Sequence, residues 1–122
     1  MSLDRFDLSA PVFGVAPRDG ATEVDAVAMA DQAVAAAAFL KALSHEGRLM
    51  ILCHLTAGER SVTELERLLA SRQAAVSQQL ARLRLEGLVQ ARRDGKAIYY
   101  SIQDPKVTRM IRLIAQMYCG PA

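Results

Sequence analysis

Two kinds of chemically useful surface are written into these 122 residues: a row of amides, hydroxyls and guanidiniums, and a pair of thiols. The row lies in Ser71–Glu86, SRQAAVSQQLARLRLE. Val76, Leu80 and Leu83 recur at i, i+4 and i+7, which makes one side of a helix apolar. The other side carries Gln73, Ala74, Ser77, Gln78 and Arg82, with almost nothing acidic among them. Side chains of that kind match the hydrogen-bonding edges of bases in a major groove. The thiols are Cys53 and Cys119. Two cysteines do not make a disulfide framework, so free thiols in a cytoplasmic protein are the default expectation. Catalytic groupings are missing. No glycine-rich phosphate loop follows a strand, there is no nucleophile elbow, and no histidine or carboxylate cluster suits acid–base work, so an enzyme is not expected.

The elements around that helix are legible. Gly87 ends it, being free to take positive φ. Leu88–Arg93 and Lys96–Ile102 are β-prone runs around Asp94-Gly95, a strong hairpin signal because both residues tolerate the turn's positive φ. A helix with a small, amide-rich face beside a hairpin with a basic tip is the pattern of a winged helix. Upstream, Ser61-Val62-Thr63-Glu64 spells a capping box, predicting a short helix to about Ala70 with Val62, Leu65, Leu68 and Leu69 facing inward. Ser71-Arg72 is then the tight link of a helix-turn-helix. Before it, Ser44 is expected to cap a helix in which Leu49, Leu52, Cys53 and Leu55 fall on or near one side, with Gly58 ending it.

Residues 1–22, with Pro11, Gly14, Pro17 and Gly20, show no sustained periodicity and read as a flexible arm; residues 23–122 form the DNA-binding and dimerisation domain. Glu23–Ala42 is alanine-rich, arguing for one long helix suited to close approach by another. Asp104-Pro105 pairs a capping acid with a first-turn proline. The helix they start carries Val107, Met110, Ile111, Ile114, Met117 and Tyr118 in a seven-residue rhythm, like the seam of a paired helix. The expected fold is mainly α with a small β-hairpin wing, and a symmetric dimer through the N- and C-terminal helices. Packing of that seam within its own domain is the alternative.

Charge distribution agrees with a nucleic-acid partner more than total charge does. The net charge is only +2, yet Ser71–Tyr100 holds six cations (Arg72, Arg82, Arg84, Arg92, Arg93, Lys96) against Glu86 and Asp94. The first 35 residues hold two cations against six acids. Positive charge thus gathers on the reading helix and wing, as phosphate contact requires. A solvated basic face would look the same by charge alone. No run of about 20 apolar residues is present, so no membrane span is expected. No signal peptide is visible.

On this reading Gln73, Ser77 and Gln78 hydrogen-bond bases or phosphates, and Ala74 allows close approach or touches a thymine methyl. Arg72 and Arg82 hold phosphates, and Arg92, Arg93 and Lys96 serve the wing, where a cation can enter a narrow minor groove. Each protomer takes one half-site, with centres roughly 34–36 Å apart.

Three stretches now carry a resemblance: Ala42-Leu-Ser-His-Glu-Gly-Arg-Leu49, Gln73-Ala-Ala-Val-Ser-Gln-Gln-Leu80, and Gly87-Leu-Val89 with the Arg-Arg-Asp-Gly-Lys wing. Together, over about residues 30–119, they resemble the ArsR/SmtB family of dimeric winged-helix repressors, and within it the reactive-sulfur-sensing SqrR/BigR type. Cys53, in the second helix, and Cys119, near the end of the last, match that type's two cysteines. The resemblance implies a repressor of operator DNA that lets go when sulfane sulfur links the two thiols. Because a helix C-terminus does not favour negative charge, Cys53 is then the expected attacking thiol and Cys119 the resolving one. By position alone Cys53 is equally an inert core thiol. Neither of the family's familiar metal motifs is complete: Thr63–Leu69 has no cysteine, and the last helix has no carboxylate or histidine after Asp104. No metal or other cofactor is therefore expected. A response to peroxide, or to a metal or metalloid, through the same cysteines is the alternative.

Overall fold

The structure, a computed structural model, describes residues 23–70 and 73–120, with the side chains of residues 73 and 74 outside that description. The arm expected at residues 1–22 and the Ser71-Arg72 link lie outside it too. The chain divides between Ala36 and Ala37 into two compact units. In the described part of the first, Asp25 caps a helix, its Oδ1 accepting from the amides of Val27 (3.0 Å) and Ala28 (3.1 Å). This helix, α1 (Ala26–Leu43), is long and apolar enough by composition to resemble a membrane span, but alanine supplies much of that character and Asp31 and Lys41 interrupt it.

The second unit holds the last turns of α1, then α2 (Glu46–Leu55), β1 (Arg60–Ser61), α3 (Val62–Leu69), α4 (Gln73–Leu85), β2 (Val89–Asp94), β3 (Ala97–Ile102) and α5 (Pro105–Cys119). Val76, Leu80 and Leu83 of α4 are fully buried, as their spacing predicts, against Ile51 and Leu52 of α2, Leu65 of α3, and Val107 and Ile111 of α5. Burying one such side chain is worth about 1.5–3 kcal/mol. The core thus clamps α4 from behind and leaves its polar side outward.

Local chemistry sets the ends of these elements. Ser61 and Glu64 make the capping box of α3: the Glu64 amide donates to Ser61 Oγ (3.1 Å) and the Ser61 amide to Glu64 Oε1 (2.9 Å). α4 ends in a Schellman motif, with the Leu88 amide donating to Leu83 O and the Gly87 amide to Arg84 O, both 2.9 Å. Gly87 has φ +78°, and Leu83 and Leu88 are both buried beside the motif. Asp104 caps α5 by accepting from the Lys106 amide (2.9 Å), with Pro105 in the first turn.

Three local expectations need correction. The cap of α2 is His45, whose Nδ1 accepts from the amides of Gly47 (3.0 Å) and Arg48 (3.4 Å); the Ser44 hydroxyl donates backwards to Lys41 O instead. Leu68 does not face inward but is exposed, since an eight-residue helix turns only Leu65 fully into the core. The hairpin loop is Gly95-Lys96, one residue later than expected, because Asp94 pairs with Ala97 as the last ladder position. Only Gly95 has positive φ (+64°), the pattern of a Gly-X turn. The sheet also has a third strand: β1, of two residues, pairs antiparallel with β3 (Arg60 with Tyr100, Ser61 with Tyr99), in the order β1-β3-β2.

Candidate DNA interface and thiol pair

α4 presents Gln78 and Arg82 exposed and Ser77 half-buried, on the side away from Val76, Leu80 and Leu83. The side chains of Arg72, Gln73 and Ala74 lie outside the described residues. Arg82 pairs with Glu86 one turn on (3.3 Å), an exposed pair of small worth that a phosphate can replace.

Behind this face a polar clamp fixes α4. Arg48 of α2 donates from Nε to the Ala42 carbonyl at the end of α1 (2.7 Å) and from Nη1 to Gln79 Oε1 on α4 (3.1 Å). The Gln79 amide nitrogen lies 3.4 Å from His45 Nε2. A planar guanidinium with several donors serves both carbonyls at once, which a lysine cannot do in this geometry. The sequence carries no sign that Arg48, His45 and Gln79 act together, because their roles depend on a meeting of residues about thirty positions apart.

On the wing, Arg93 and Lys96 are exposed and make no ion pair with a described residue. Arg92 is placed differently. It forks onto Glu59, in the link between α2 and β1 (Nη2–Oε1 2.7 Å, Nε–Oε2 3.0 Å), and its guanidinium sits 4.9 Å from the centre of the Tyr99 ring. The hydrogen bond from Arg92 holds the Glu59 carboxyl below its ordinary pKa. Glu59 carried no signal in the sequence as a partner of the wing.

Both thiols are exposed and free, which removes the inert-core reading of Cys53. Cys53 lies in α2 and Cys119 closes α5, two helices in contact. Partial desolvation first, and the charge of Cys119 second, push the Cys53 thiol above its ordinary pKa. The same shift works against Cys53 as the readier nucleophile. Among the described residues, no three His, Cys, Asp or Glu side chains gather as a metal site.

A two-helix reading unit, a hairpin wing and a core that turns one polar helix face outward define a winged helix-turn-helix of the DNA-binding class. Residues 45–91 match the pattern of the bacterial regulatory protein, arsR family. The chain is 42% identical over 99 residues to the biofilm growth-associated repressor of Agrobacterium fabrum, covering 81% of this chain and 85% of that one. It is 43% identical over 84 residues to the transcriptional activator HlyU of Vibrio cholerae, covering 69% and 78%. The crystal structure of the transcriptional repressor BigR from Xylella fastidiosa superposes with a TM-score of 0.77 at 37% identity, over 80% of this chain and all of that one. The protein belongs to the ArsR family of transcriptional regulators, and is a regulator, not an enzyme.

Proposed function

We propose that this protein is a homodimeric, cytoplasmic repressor that holds operator DNA through α4 and the wing and releases it when reactive sulfur species join Cys53 to Cys119. The observation that carries the reading is the pair of exposed thiols on α2 and α5, two helices in contact. Similarity to repressors named for biofilm growth supports repression. In the DNA complex Gln73, Ser77 and Gln78 read bases or phosphates, Ala74 permits close approach, and Arg72, Arg82, Arg93 and Lys96 neutralise phosphates. The dimer forms through the N- and C-terminal helices, including the apolar side of α5 left open in one protomer, where Leu113, Met117 and Tyr118 are exposed.

The chemistry balances with a polysulfide as oxidant. One thiolate attacks a sulfane sulfur, the polysulfide departs one sulfur shorter, and a cysteine persulfide remains. The second thiolate attacks the sulfur bonded to the first cysteine, hydrosulfide leaves, and a disulfide forms; two electrons pass from the thiols to sulfane sulfur. Further sulfane sulfur inserted into this link gives a longer bridge. Either bridge tethers α2 to α5, and α2 holds α4 through Arg48 and Gln79. A coupling of about 1–3 kcal/mol between bridge and DNA lowers affinity some 5- to 150-fold.

The test is operator release with mass spectrometry after polysulfide, peroxide and arsenite. Polysulfide should add sulfur across Cys53 and Cys119 and free the DNA, while Cys53→Ser and Cys119→Ser bind DNA but ignore polysulfide. Normal release by either variant would refute the two-thiol switch. A metalloid response through the same thiols is the second reading, favoured by the likeness to an antimony-specific repressor, AntR (TM-score 0.74, 30% identity); arsenite-only release would select it.

A further inference from the structure

The base of the wing packs on the core through Val89 and pairs with the two-residue β1, while its outer half is held by the Arg92–Glu59 fork. Exposed ion pairs contribute little unless the geometry is bidentate or several groups share it, and here both conditions hold. Nε and Nη2 of Arg92 are taken by Glu59, Nη1 lies 3.8 Å from Asp94 Oδ2, and the guanidinium carbon lies over the ring of Tyr99, its cross-strand partner. Every nitrogen of the guanidinium therefore faces a protein carboxylate. One cation against two carboxylates leaves the spot net negative, so an approaching phosphate would first have to displace Glu59. Strand alternation adds a second argument. Arg92 and Arg93 are neighbours on β2 and point to opposite faces of the hairpin, so one inclination of the wing cannot offer both to the same backbone.

We propose that Arg92 is a positioning residue: anchored by Glu59 and steadied by Tyr99, it sets the wing's inclination from the link between α2 and β1, while Arg93 and Lys96 make the wing's phosphate contacts. The proposal rests on the reading of the wing as a DNA-contacting element. It gives Glu59, a carboxylate beside a DNA-binding surface, a favourable role where simple charge repulsion would give it an unfavourable one.

The test measures binding of the full chain to a labelled duplex enriched by the wild-type protein from a random pool, across a salt series. Failure of the wild type to bind any duplex would end the DNA reading itself, and this proposal with it. Given wild-type binding, Arg92→Ala and Glu59→Ala should each weaken affinity about fivefold or more, and the double variant should be no worse than the singles. The salt slope should stay at the wild-type value in both, whereas Arg93→Ala should lower it by about one unit. Exchanging the charges, Glu59→Arg with Arg92→Glu, should recover most of the lost affinity, which a lost phosphate contact would not. Glu59→Gln replaces Glu59→Ala if thermal melting shows the latter unfolded. A slope lower by about one unit in Arg92→Ala, tighter binding by Glu59→Gln, or unchanged affinity in both single variants would each overturn the proposal.

Discussion

At the scale of single residues, Cys53 shows how position in a fold sets reactivity. Its thiol is open to reagents, but desolvation and the neighbouring sulfur raise its pKa, so less of it is thiolate at neutral pH than in a free cysteine. Its alkylation rate should therefore keep climbing with pH beyond the point where free cysteine levels off. In Cys119→Ser the electrostatic part of the shift disappears, and the Cys53 profile should move to lower pH. Iodoacetamide rates followed by mass spectrometry across pH test both; an unmoved profile would mean that the two sulfurs do not sense each other. None of this was legible in the sequence. There Cys53, four residues after Leu49, fits a core thiol as well as a reactive one, and only the resemblance to sulfur-sensing repressors pairs it with Cys119.

At the scale of elements, ends and links decide more than interiors. The turn after α3 uses Ala70 in the left-handed region (φ 51°, ψ 40°), where a Cβ costs about 1–2 kcal/mol and glycine avoids it. Ala70→Gly should stabilise the protein by up to about 1 kcal/mol, seen as a higher melting temperature; a lower one would show that the backbone entropy of glycine outweighs the relief. The capping box of α3, the Gly87 terminus of α4 and the Asp104-Pro105 start of α5 were readable from the sequence because each is a contract between residues a few positions apart. The cap of α2 was misread by one residue. Ser44 and His45 both carry an acceptor at the right place, and only the path of the chain leaving α1 selects the imidazole. β1 was not readable at all. Two residues have no periodicity, and they become a strand only because Tyr99 and Tyr100 lie alongside.

At the scale of the whole molecule, the apolar side chains of α5 divide between core and surface. Val107 and Ile111 are buried within the protomer, whereas Leu113, Met117 and Tyr118 stay exposed. Three large apolar side chains in the last turns of one helix are more than scattered surface residues explain. Under the proposed dimer, Met117→Glu with Tyr118→Glu should give monomers in sedimentation and lose high-affinity operator binding, because one half-site alone gives up the linked second contact. A monomeric wild-type protein that binds operator tightly would refute the arrangement.

What the sequence determined by itself is whatever follows from near neighbours: the inward stripe Val76, Leu80 and Leu83, the amide-rich face opposite it, and most element boundaries. Periodicity and capping act over one or two turns, so the order of residues states them directly. Tertiary structure alone decided which side chains from distant parts of the chain meet: Arg48 with Gln79, and Arg92 with Glu59. The reason is physical. Hydrogen bonds act only within a few ångströms, and only the packing of helices around a shared core brings positions some thirty residues apart within that range.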